Sequence, residues 1–579
     1  MLLNTQILAI SIFALPSLSS ILQRRSPSVP TVQTLNGTYS GVHSSVYDQD
    51  FFLGIPFAQP PVGDLRFRQA QSLNSSWSDS KPATSYSKEC IGYGSDQWVL
   101  GNDVSEDCLT LNVVRPSGVS GKLPVAVWIH GGGFYQGGNA DPRYNLSFIV
   151  QQSVQAETPF IGISINYRLQ AWGFLFGKEV LEDGSANIAI RDQRLALQWV
   201  QENIAAFGGD STQVTIWGES AGGFSVGAQL IAYGGRNDGL FRSAISQSGG
   251  PIGLASTLVT PESWQPTYDN ITKAANCSTA ADSLDCLRKV PTDVLSSIFN
   301  STVTAGAKFS VVIDHDIIMD SGTNSVANGK FVKVPYLQGT NNDEGASFGQ
   351  RGINTTEQFL SMITSSGVDN TTATILAAVY PDIPAIGIPP TYHGRPPASK
   401  LYGSQFKRVA AYAGDVKMQA PRRLAAQLWA KYNATTYSYV FHTIPNGIDS
   451  AAHFQEVAFV FHNLNGDGYR NVVAKPPFEG KPQTFTDLST MMSRMWISFI
   501  INGDPNKCEG NFSSISGIDI VTDDYIVSNV AWPKYTLDDP TNIVFDTNVT
   551  NLAYISPDIY RAEGIDFVSK TVLKTQGII

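Results

Sequence analysis

The segment that most constrains the fold of this chain is a short apolar run that breaks at a serine flanked by glycines. Residues 214–217 (VTIW) have the composition of a buried strand, and residues 218–223 (GESAGG) follow them directly. A helix-compatible run comes next, so Ser220 lies in a strand–turn–helix unit. Glycine is needed two residues before and after the serine, because a Cβ there would clash with the neighbouring strand and helix. The unit predicts a hydroxyl at a helix N-terminus, where free amides favour a developing anion.

The Gly-x-Ser-x-Gly pattern alone is weak evidence, and the chain contains it twice. Residues 345–349 (GASFG) match as well, but they lie in a polar stretch with no helix-compatible run behind them. A match of this kind arises by chance about once in every two or three chains of this length. The strand–turn–helix context therefore selects Ser220 as the candidate nucleophile.

The surrounding sequence predicts an α/β fold. A run at helical spacing covers residues 192–207 and stops at two glycines. Strand-like runs recur along the chain, at residues 125–129, 160–166, 244–246, 334–338 and 437–441. This alternation is typical of a mainly parallel sheet covered by helices on both faces. A length of 579 residues would suggest several domains, but residues 251–330 and 350–435 have weak periodicity and are interpreted as insertions into one sheet.

A run of three glycines supplies candidate donors for the oxyanion of an acyl-transfer reaction. Gly131, Gly132 and Gly133 follow the strand-like residues 125–129, with only His130 in between, and no side chain blocks their amides. Ala221, next to the serine, offers one further amide.

A serine nucleophile needs a general base, and the chain has seven histidines. α/β-Hydrolases place their residues in the chain order serine, acid, histidine. His453, in a small-residue loop after residues 437–441, suits the last place and leads His442 and His462 modestly. The other histidines fit the role poorly by position: they are His43, His130, His315 and His393.

The acid that orients the imidazole is expected between Ser220 and the base, just past a strand. Asp343 and Glu344 follow the strand-like residues 334–338 in a polar cluster (NNDEG). Either carboxylate can hold the imidazole tautomer and stabilise the imidazolium. The residues alone leave this choice open.

The N-terminus and the sequons predict a secreted glycoprotein. Residues 7–18 (ILAISIFALPSL) are apolar and precede two serines, which predicts a signal peptide over residues 1–20 and a linker over 21–30. No later run reaches the ~18 apolar residues of a membrane span. Eleven Asn-x-Ser/Thr sequons are candidate glycosylation sites, at Asn36, Asn74, Asn145, Asn270, Asn276, Asn300, Asn354, Asn370, Asn433, Asn511 and Asn548.

Five cysteines leave one thiol over in any disulfide scheme, and about fifteen pairings are possible. Proximity would pair Cys90 with Cys108 and Cys277 with Cys286, which leaves Cys508. The net charge of −10, without any run of Lys or Arg, argues against a nucleic-acid partner.

Further segments occur in the order of a known family, at residues 52–63 (FLGIPFAQPPVG), 106–113 (EDCLTLNV), 130–134 (HGGGF), 192–197 (DQRLAL), 207–223, 453–461 (HFQEVAFVF), 503–506 (GDPN) and 532–533 (WP). Through these segments the chain resembles the type-B carboxylesterase/lipase family, which includes cholinesterases and fungal lipases. The resemblance covers residues from about 35 to 540. It implies an α/β-hydrolase fold, with a mostly parallel central sheet, flanking helices and large insertions, as one domain over residues 31–579.

Carried over by position, the resemblance implies Ser220 as nucleophile, His453 as base and Glu344, in the family's D-E-G position, as acid. It implies no metal or organic cofactor. It implies that the amides of Gly132, Gly133 and Ala221 bind the oxyanion. It also implies two disulfides, which pair Cys90 with Cys108 and Cys277 with Cys286.

Two features bear on the substrate. In related fungal lipases the first disulfide bounds a long flap, whereas only 17 residues lie between Cys90 and Cys108 here. That leaves room for little more than a short helix and predicts an open mouth. Trp98 lies ten residues before Cys108, as does the choline-binding tryptophan of cholinesterases. We interpret Trp98 as a pocket-wall aromatic, with a cation–π site as the alternative, and Glu219 as a structural carboxylate able to tune the field of the site.

The sequence thus predicts a secreted serine carboxylic-ester hydrolase that works through an acyl-enzyme on short- to medium-chain esters. Its expected partner is a small-molecule or lipid ester. The alternatives are a lipase or sterol esterase for long-chain lipid esters, a cholinesterase-like enzyme, and a catalytically silent binding protein.

Overall fold

The fold was analysed in a computed structural model that describes residues 29–119, 121–398, 401–472, 475–507 and 530–579. The predicted signal peptide over residues 1–20, most of the predicted linker over 21–30, Cys508 and the sequon at Asn511 lie outside the described residues.

The strands are short, and most of them belong to one sheet. In chain order they are β1 (Thr31–Gln33), β2 (Thr38–Ser40), β3 (Val42–Ser44), β4 (Gln49–Pro56), β5 (Lys81–Pro82), β6 (Glu89–Cys90), β7 (Val104–Ser105), β8 (Thr110–Pro116), β9 (Leu123–Ile129), β10 (Ile161–Ile165), β11 (Gly209–Glu219), β12 (Ser243–Gln247), β13 (Tyr336–Asn341), β14 (Thr436–Phe441), β15 (Thr541–Phe545) and β16 (Ala553–Pro557).

The helices lie between and after these strands. They are α1 (Ser95–Leu100), α2 (Leu146–Gln155), α3 (Gln170–Phe174), α4 (Lys178–Glu182), α5 (Ile188–Asn203), α6 (Ala221–Gly235), α7 (Pro261–Ala274), α8 (Ser283–Lys289), α9 (Thr292–Phe299), α10 (Gly322–Ala327), α11 (Gly345–Phe348), α12 (Thr356–Thr364), α13 (Asn370–Val379), α14 (Phe406–Gly414), α15 (Ala420–Lys431), α16 (Val457–Val460), α17 (Tyr469–Val472), α18 (Gln483–Asn502), α19 (Ala562–Lys570) and α20 (Val572–Thr575). A π-helical turn at Asp415–Gln419 joins α14 to α15.

Within the described residues, a sheet of 11 strands has the order β16-β15-β14-β13-β12-β11-β9-β10-β8-β4-β3. The seven strands from β15 to β10 pair in parallel. β16 at one end, and β8, β4 and β3 at the other, pair antiparallel. This confirms the predicted mostly parallel α/β sheet, which is the arrangement of the α/β-hydrolase fold.

The sequence of the central strands explains why helices cover both faces. Successive side chains of a strand point to opposite faces, and in β9 the side chains of Val125, Val127 and Ile129 pack into one apolar cluster. Those of Ala126 and Trp128 pack into another. All of them are fully buried, so the near-continuous apolar run is what a strand buried on both faces requires.

Each face of the sheet has its own helices. The first cluster includes residues of α5 and α6, such as Leu197 and Leu230. The second includes residues of α2, α16 and α18, such as Ile149 and Trp496. The sheet therefore lies between two helical layers and holds the loops at its carboxyl-terminal edge in place.

The two stretches interpreted as insertions are helical. Residues 251–330 contain α7 to α10, and residues 350–435 contain α12 to α15. The second insertion forms a third apolar cluster with α19, which includes Phe359, Leu376 and Val568. The insertions build walls above the sheet.

Several boundaries differ from the sequence analysis. The strand expected at 334–338 is β13 at Tyr336–Asn341, because Pro335 has no N–H to donate to a ladder. The helix expected at 192–207 begins earlier, at Ile188, and its last turn is a separate 3₁₀ turn at Ile204–Phe207. Residues 437–441 belong to β14, and β15 and β16, which the strand-like runs of the sequence did not include, follow it.

Both disulfides implied by the resemblance are present. Cys90 is bonded to Cys108 and Cys277 to Cys286. The first closes the loop that carries α1, a helix of six residues, which agrees with the expected short helix.

The sequons lie at the surface wherever the structure describes them. Seven of their asparagines are exposed: Asn74, Asn270, Asn276, Asn300, Asn370, Asn433 and Asn548. Asn36, Asn145 and Asn354 are half-buried. Among the described helices, none is both long and apolar enough to cross a membrane.

Candidate active site

Ser220 lies between strand β11 and helix α6, as the sequence predicts. β11 ends at Glu219 and α6 begins at Ala221, so the serine itself forms the turn. Its backbone has φ 54° and ψ −121°, a combination that costs energy in a residue with a Cβ. Such strain is characteristic of a turn that raises a nucleophile above the edge of a sheet.

The two flanking glycines are required by the close packing of this turn. A Cβ on Gly218 would lie 2.4 Å from the carbonyl carbon of Gly222. A Cβ on Gly222 would lie 1.9 Å from the carbonyl oxygen of Ile129, the last residue of β9. The strand and helix next to the turn therefore leave room only for the hydrogen of a glycine, and a Cβ would clash with them as expected from the sequence.

The loop after β14 brings a histidine to this serine. Nε2 of His453 lies 2.8 Å from Oγ of Ser220. Nδ1 of the same ring lies 2.7 Å from Oε2 of Glu344. The structure thus joins the three residues that the resemblance implied into one hydrogen-bonded chain.

Glu344 is anchored at the end of β13. Its Oε1 accepts a hydrogen bond from the amide of Asn341 at 2.8 Å and another from the hydroxyl of Ser248, and its side chain is fully buried. The neighbouring Asp343 accepts instead from the amide of Ala451 at 3.0 Å. Glu344, and not Asp343, is therefore the carboxylate that reaches the imidazole.

The competing histidines are engaged elsewhere. Nδ1 of His442 lies 3.4 Å from Asp546, and Nε2 of His462 lies 3.1 Å from the hydroxyl of Thr490. His130, in the glycine turn, is buried and stacks on Tyr167 with 4.5 Å between ring centroids. Burial lowers the pKa of His130 to about 4, which makes it a neutral part of the scaffold.

The glycine turn lies beside the serine. A Cβ on Gly131 would lie 3.1 Å from Cβ of Ser220, and the hydroxyl of Tyr167 donates to the carbonyl of His130 at 2.9 Å, which holds the turn in place. Gly132 and Gly133 have φ of 97° and 66°, a region that favours glycine. Within the described residues their amides have no hydrogen-bond acceptor.

Two of the predicted oxyanion donors face the same cavity as the serine. Gly133 and Ala221 line it together with Ser220. Ala221 is the first residue of α6, where an amide has no partner inside the helix and the helix dipole favours negative charge. Gly132 is not among the lining residues, and its carbonyl accepts from the amides of Tyr135 and Gln136.

Three buried carboxyl groups surround the imidazole. Glu219 and Glu456 join Glu344 there, and Oε1 of Glu219 lies 3.3 Å from Nε2 of His453. Burial raises the pKa of Glu219 well above its usual range and raises that of Glu456 as well. Burial alone would lower the pKa of His453, but Glu219 and Glu344 outweigh it and raise the pKa to about 9.

Sequence reasoning missed much of this buried network. The carboxylate of Glu456 accepts hydrogen bonds from side-chain amides of Gln247 at 3.0 Å and Asn341 at 2.6 Å. Glu456 lies inside the HFQEVAFVF segment, three residues after His453, and this closeness was the available signal. Ser248 and Gln247 come directly at the end of β12, beside the serine turn in the sheet.

The cavity above Ser220 has a volume of about 980 Å³. The two insertions contribute most of its walls, and the lining residues include Phe134, Phe224, Phe299, Phe309 and Phe348. The ring of Phe348 lies 4.8 Å from that of His453. No pattern in the sequence marked Phe299 and Phe309, the two that lie in the first insertion.

The loop closed by the first disulfide is bound to the protein beside the glycine turn. Asp96 forms an ion pair with Arg143 at 2.6 Å, and Gln97 donates to the carbonyl of Cys90 at 2.8 Å. Trp98 lies on α1, but its side chain lies outside the described residues. The side chain of residue 99 lies outside the described residues as well. None of the other residues of this loop lines the cavity.

Among the described residues, no group of three or more His, Cys, Asp or Glu side chains has the arrangement to hold a metal ion.

The fold and the Ser220–His453–Glu344 geometry are those of the α/β-hydrolases. A sequence profile of the Carboxylesterase family matches residues 28–558. The chain belongs to this family and is a carboxylic ester hydrolase.

Individual relatives and solved structures agree with this assignment. Lipase 4 of Diutina rugosa is 33% identical over 582 residues, which cover 93% of this chain and 95% of that protein. Secreted lipase 1 of Botryotinia fuckeliana is 36% identical over 450 residues, covering 72% and 77%. The crystal structure of Aspergillus niger EstA has a TM-score of 0.76 at 26% identity and covers 95% of this chain and 99% of its own.

Proposed function

We propose that Ser220, His453 and Glu344 are the nucleophile, the general base and the orienting acid of this ester hydrolase. The observation that supports this best is the unbroken hydrogen-bonded chain, with 2.8 Å from Ser220 to His453 and 2.7 Å from His453 to Glu344. Nε2 of His453 takes the hydroxyl proton as Oγ attacks the ester carbonyl. Glu344 holds the proton on Nδ1 and stabilises the imidazolium.

The amides of Gly132, Gly133 and Ala221 stabilise the oxyanion that forms on the carbonyl oxygen. When it collapses, the bond from the acyl carbon to the alcohol oxygen breaks, and the imidazolium gives its proton to the departing alkoxide. A water molecule, deprotonated by His453, then attacks the acyl-enzyme. The acid leaves, and the proton returns to Oγ of Ser220.

The substrates are esters of short and medium acyl chains. The one helix in the loop from Cys90 to Cys108 is α1, which has six residues. The described side chains of this loop do not line the cavity. A loop this short offers no large flap to open at a lipid surface. A cavity of about 980 Å³ accommodates a drug-sized ester, for which pockets of about 300–1,000 Å³ are usual.

A lipase acting on long-chain lipid esters is the second candidate. The names of the relatives in Diutina rugosa and Botryotinia fuckeliana favour it, because both proteins are called lipases. The apolar walls of the cavity, which include Phe299, Phe309 and Met418, would also suit a long acyl chain.

We also propose that the protein is secreted, glycosylated and built as one domain over residues 31–579. Two disulfides favour an oxidising compartment. The described sequon asparagines are exposed or half-buried, and one relative is named a secreted lipase. A single sheet spans the chain from β3 to β16, which supports one domain.

The decisive variant is Ser220→Ala, measured on p-nitrophenyl esters from acetyl to palmitoyl and by labelling with a fluorophosphonate. We expect kcat to fall about 10⁴-fold or more and labelling to disappear, while the circular dichroism spectrum stays the same. Ser347→Ala is the matched control, because Ser347 is the exposed serine of the second Gly-x-Ser-x-Gly match. Activity that survives in Ser220→Ala contradicts the mechanism, and an optimum at long chains above the solubility limit favours the lipase.

A further inference from the structure

Two lysines line the cavity that contains Ser220. They are Lys308, in the first insertion, and Lys417, in the turn between α14 and α15. Among the described residues that line this cavity, these are the only charged side chains, and no Asp or Glu is present there. The protein as a whole has a net charge of −10, whereas the wall of this cavity is positively charged.

The two lysines present exposed side chains to this one cavity. Burial of Lys417 lowers its pKa, and the positive charge of Lys308 lowers it further. The Nζ of Lys417 lies 5.7 Å from the ring centroid of Phe348, and Phe348 contacts His453.

Neither lysine forms an ion pair with an acidic side chain within the described part of the chain. Lysines that form ion pairs there are Lys289 with Asp285 and Lys570 with Asp566. Two like charges without counter-ions repel each other and attract an anion to the space between them. Apolar neighbours, Phe309 beside Lys308 and Met418 beside Lys417, also line the cavity, and they offer an uncharged surface to the rest of the substrate.

We propose that this cavity selects esters that carry a carboxylate at the end remote from the scissile bond, with the anion held between Lys308 and Lys417. The uncharged part of the substrate then lies along the apolar wall, and its ester group reaches Ser220. Half-esters of dicarboxylic acids and esters of carboxylated alcohols share this chemistry. The proposal rests on the proposed function of the same site and names its substrate class.

The test compares anionic and neutral esters of equal length. For the acyl side, p-nitrophenyl half-esters of glutaric, adipic and suberic acid are set against p-nitrophenyl esters of the matching monocarboxylic acids. For the alcohol side, the butyrate ester of 4-hydroxybenzoate is set against that of 4-hydroxybenzamide, which has nearly the same shape without the charge. We expect kcat/KM to favour the anionic ester in at least one of these arms, and that arm identifies which half of the substrate carries the charge.

Variants connect the preference to the lysines. Lys308→Met and Lys417→Met should each lower the ratio of anionic to neutral kcat/KM about threefold to fivefold, as expected for an exposed charge pair. Lys417→Arg should restore the ratio, and Lys330→Met, an exposed lysine outside the cavity, should leave it unchanged. Rising ionic strength should reduce the preference in the wild type, because salt screens exposed charges.

The failure of this proposal and that of the proposed function are distinguishable. If neutral esters are hydrolysed and Ser220 is labelled by the fluorophosphonate, but neither arm favours the anion, the anionic specificity is refuted and the hydrolase stands. A preference that both methionine variants retain refutes the role of the lysines. If no ester is turned over and Ser220 is not labelled, the proposed function itself falls.

Discussion

Replacing Gly222 with alanine tests whether the serine turn and the glycine turn depend on one close backbone contact. Gly222 is the second residue of α6, and its α-carbon faces the end of β9. The added Cβ would lie 1.9 Å from the carbonyl oxygen of Ile129, whereas ordinary contacts of this kind begin at 3.4 Å. The two backbones must therefore separate by about 1.5 Å.

The displacement has consequences for stability and for catalysis. Ile129 is fully buried, and overpacking of such a site costs about 1–3 kcal/mol, occasionally more. Gly131 lies two residues further along the chain and touches the serine turn, with its Cβ position 2.8 Å from the carbonyl oxygen of Glu219. Oxyanion donors must lie within about 2.7–3.1 Å of the oxyanion, and the loss of one costs roughly 10²–10³ in kcat. We expect Gly222→Ala to lower kcat about 100-fold or more, with a Tm several degrees lower.

Steady-state kinetics with p-nitrophenyl butyrate and thermal melts at one fixed scan rate measure both effects. Gly223→Ala provides a graded comparison, because its Cβ would lie 2.9 Å from the nearest atom, the carbonyl oxygen of Gln247. Gly239→Ala is a control for kcat, since a Cβ there meets nothing within 4 Å, but its φ of 73° carries strain of its own and makes it no reference for stability. If Gly222→Ala has the kcat and the Tm of the wild type, the steric argument is refuted. If it does not fold, Gly223→Ala must still show the intermediate loss.

Two further predictions concern charge. Because His453 acts as a base only when neutral, and carboxylates raise its pKa to about 9, kcat/KM should rise with pH through the neutral range and level off above about 9. Glu219→Gln removes one of these carboxylates and should move the midpoint toward 6.5; a midpoint near 6.5 in both proteins would contradict this. Asp558 is fully buried between Arg422 and Arg423, and although burial opposes it, the two guanidinium groups hold its pKa well below the usual range. Its contribution to stability is therefore present above about pH 3.9 and is lost as the pH falls toward the folded-state pKa. Asp558→Asn should cost about 3–5 kcal/mol near pH 7 by leaving both arginines uncompensated, and a Tm equal to that of the wild type at that pH would refute it.

The parts of the fold that the sequence predicts are those where burial leaves few choices. Residues 125–129 and 214–217 are apolar without alternation because helices cover both faces of β9 and β11. β15 and β16 gave no such signal. They lie near the end of the sheet, they are five residues long, and β16 has polar and exposed positions such as Tyr554. A short edge strand needs its partner to be recognised.

The site divides in the same way. Ser220 and the glycines around it are readable because backbone sterics allow few other residues at those positions. The order of residues along the chain favours His453 as the base only modestly over His442 and His462, and it does not distinguish Asp343 from Glu344 as the acid. That choice depends on which of the two carboxylates faces the imidazole. Adjacent side chains point in different directions, and the sequence does not show which of them points toward the base. The family resemblance made both choices, and the geometry agrees with them.

The carboxyl groups that surround the imidazole and the side chains that line the cavity differ in the sign of their charge, and this difference bears on how a charged ester would enter. The carboxyl groups of Glu219, Glu344 and Glu456 lie buried around His453, where any further anion would lose its hydration and meet like charge. Lys308 and Lys417 are exposed and line the cavity itself. A substrate carboxylate is therefore held at the lysines, and the uncharged ester end is the one that can approach Ser220. The same wall that attracts an anionic ester also orients it, so reversing the charge with Lys417→Glu should raise KM for the anionic ester more than for its neutral counterpart.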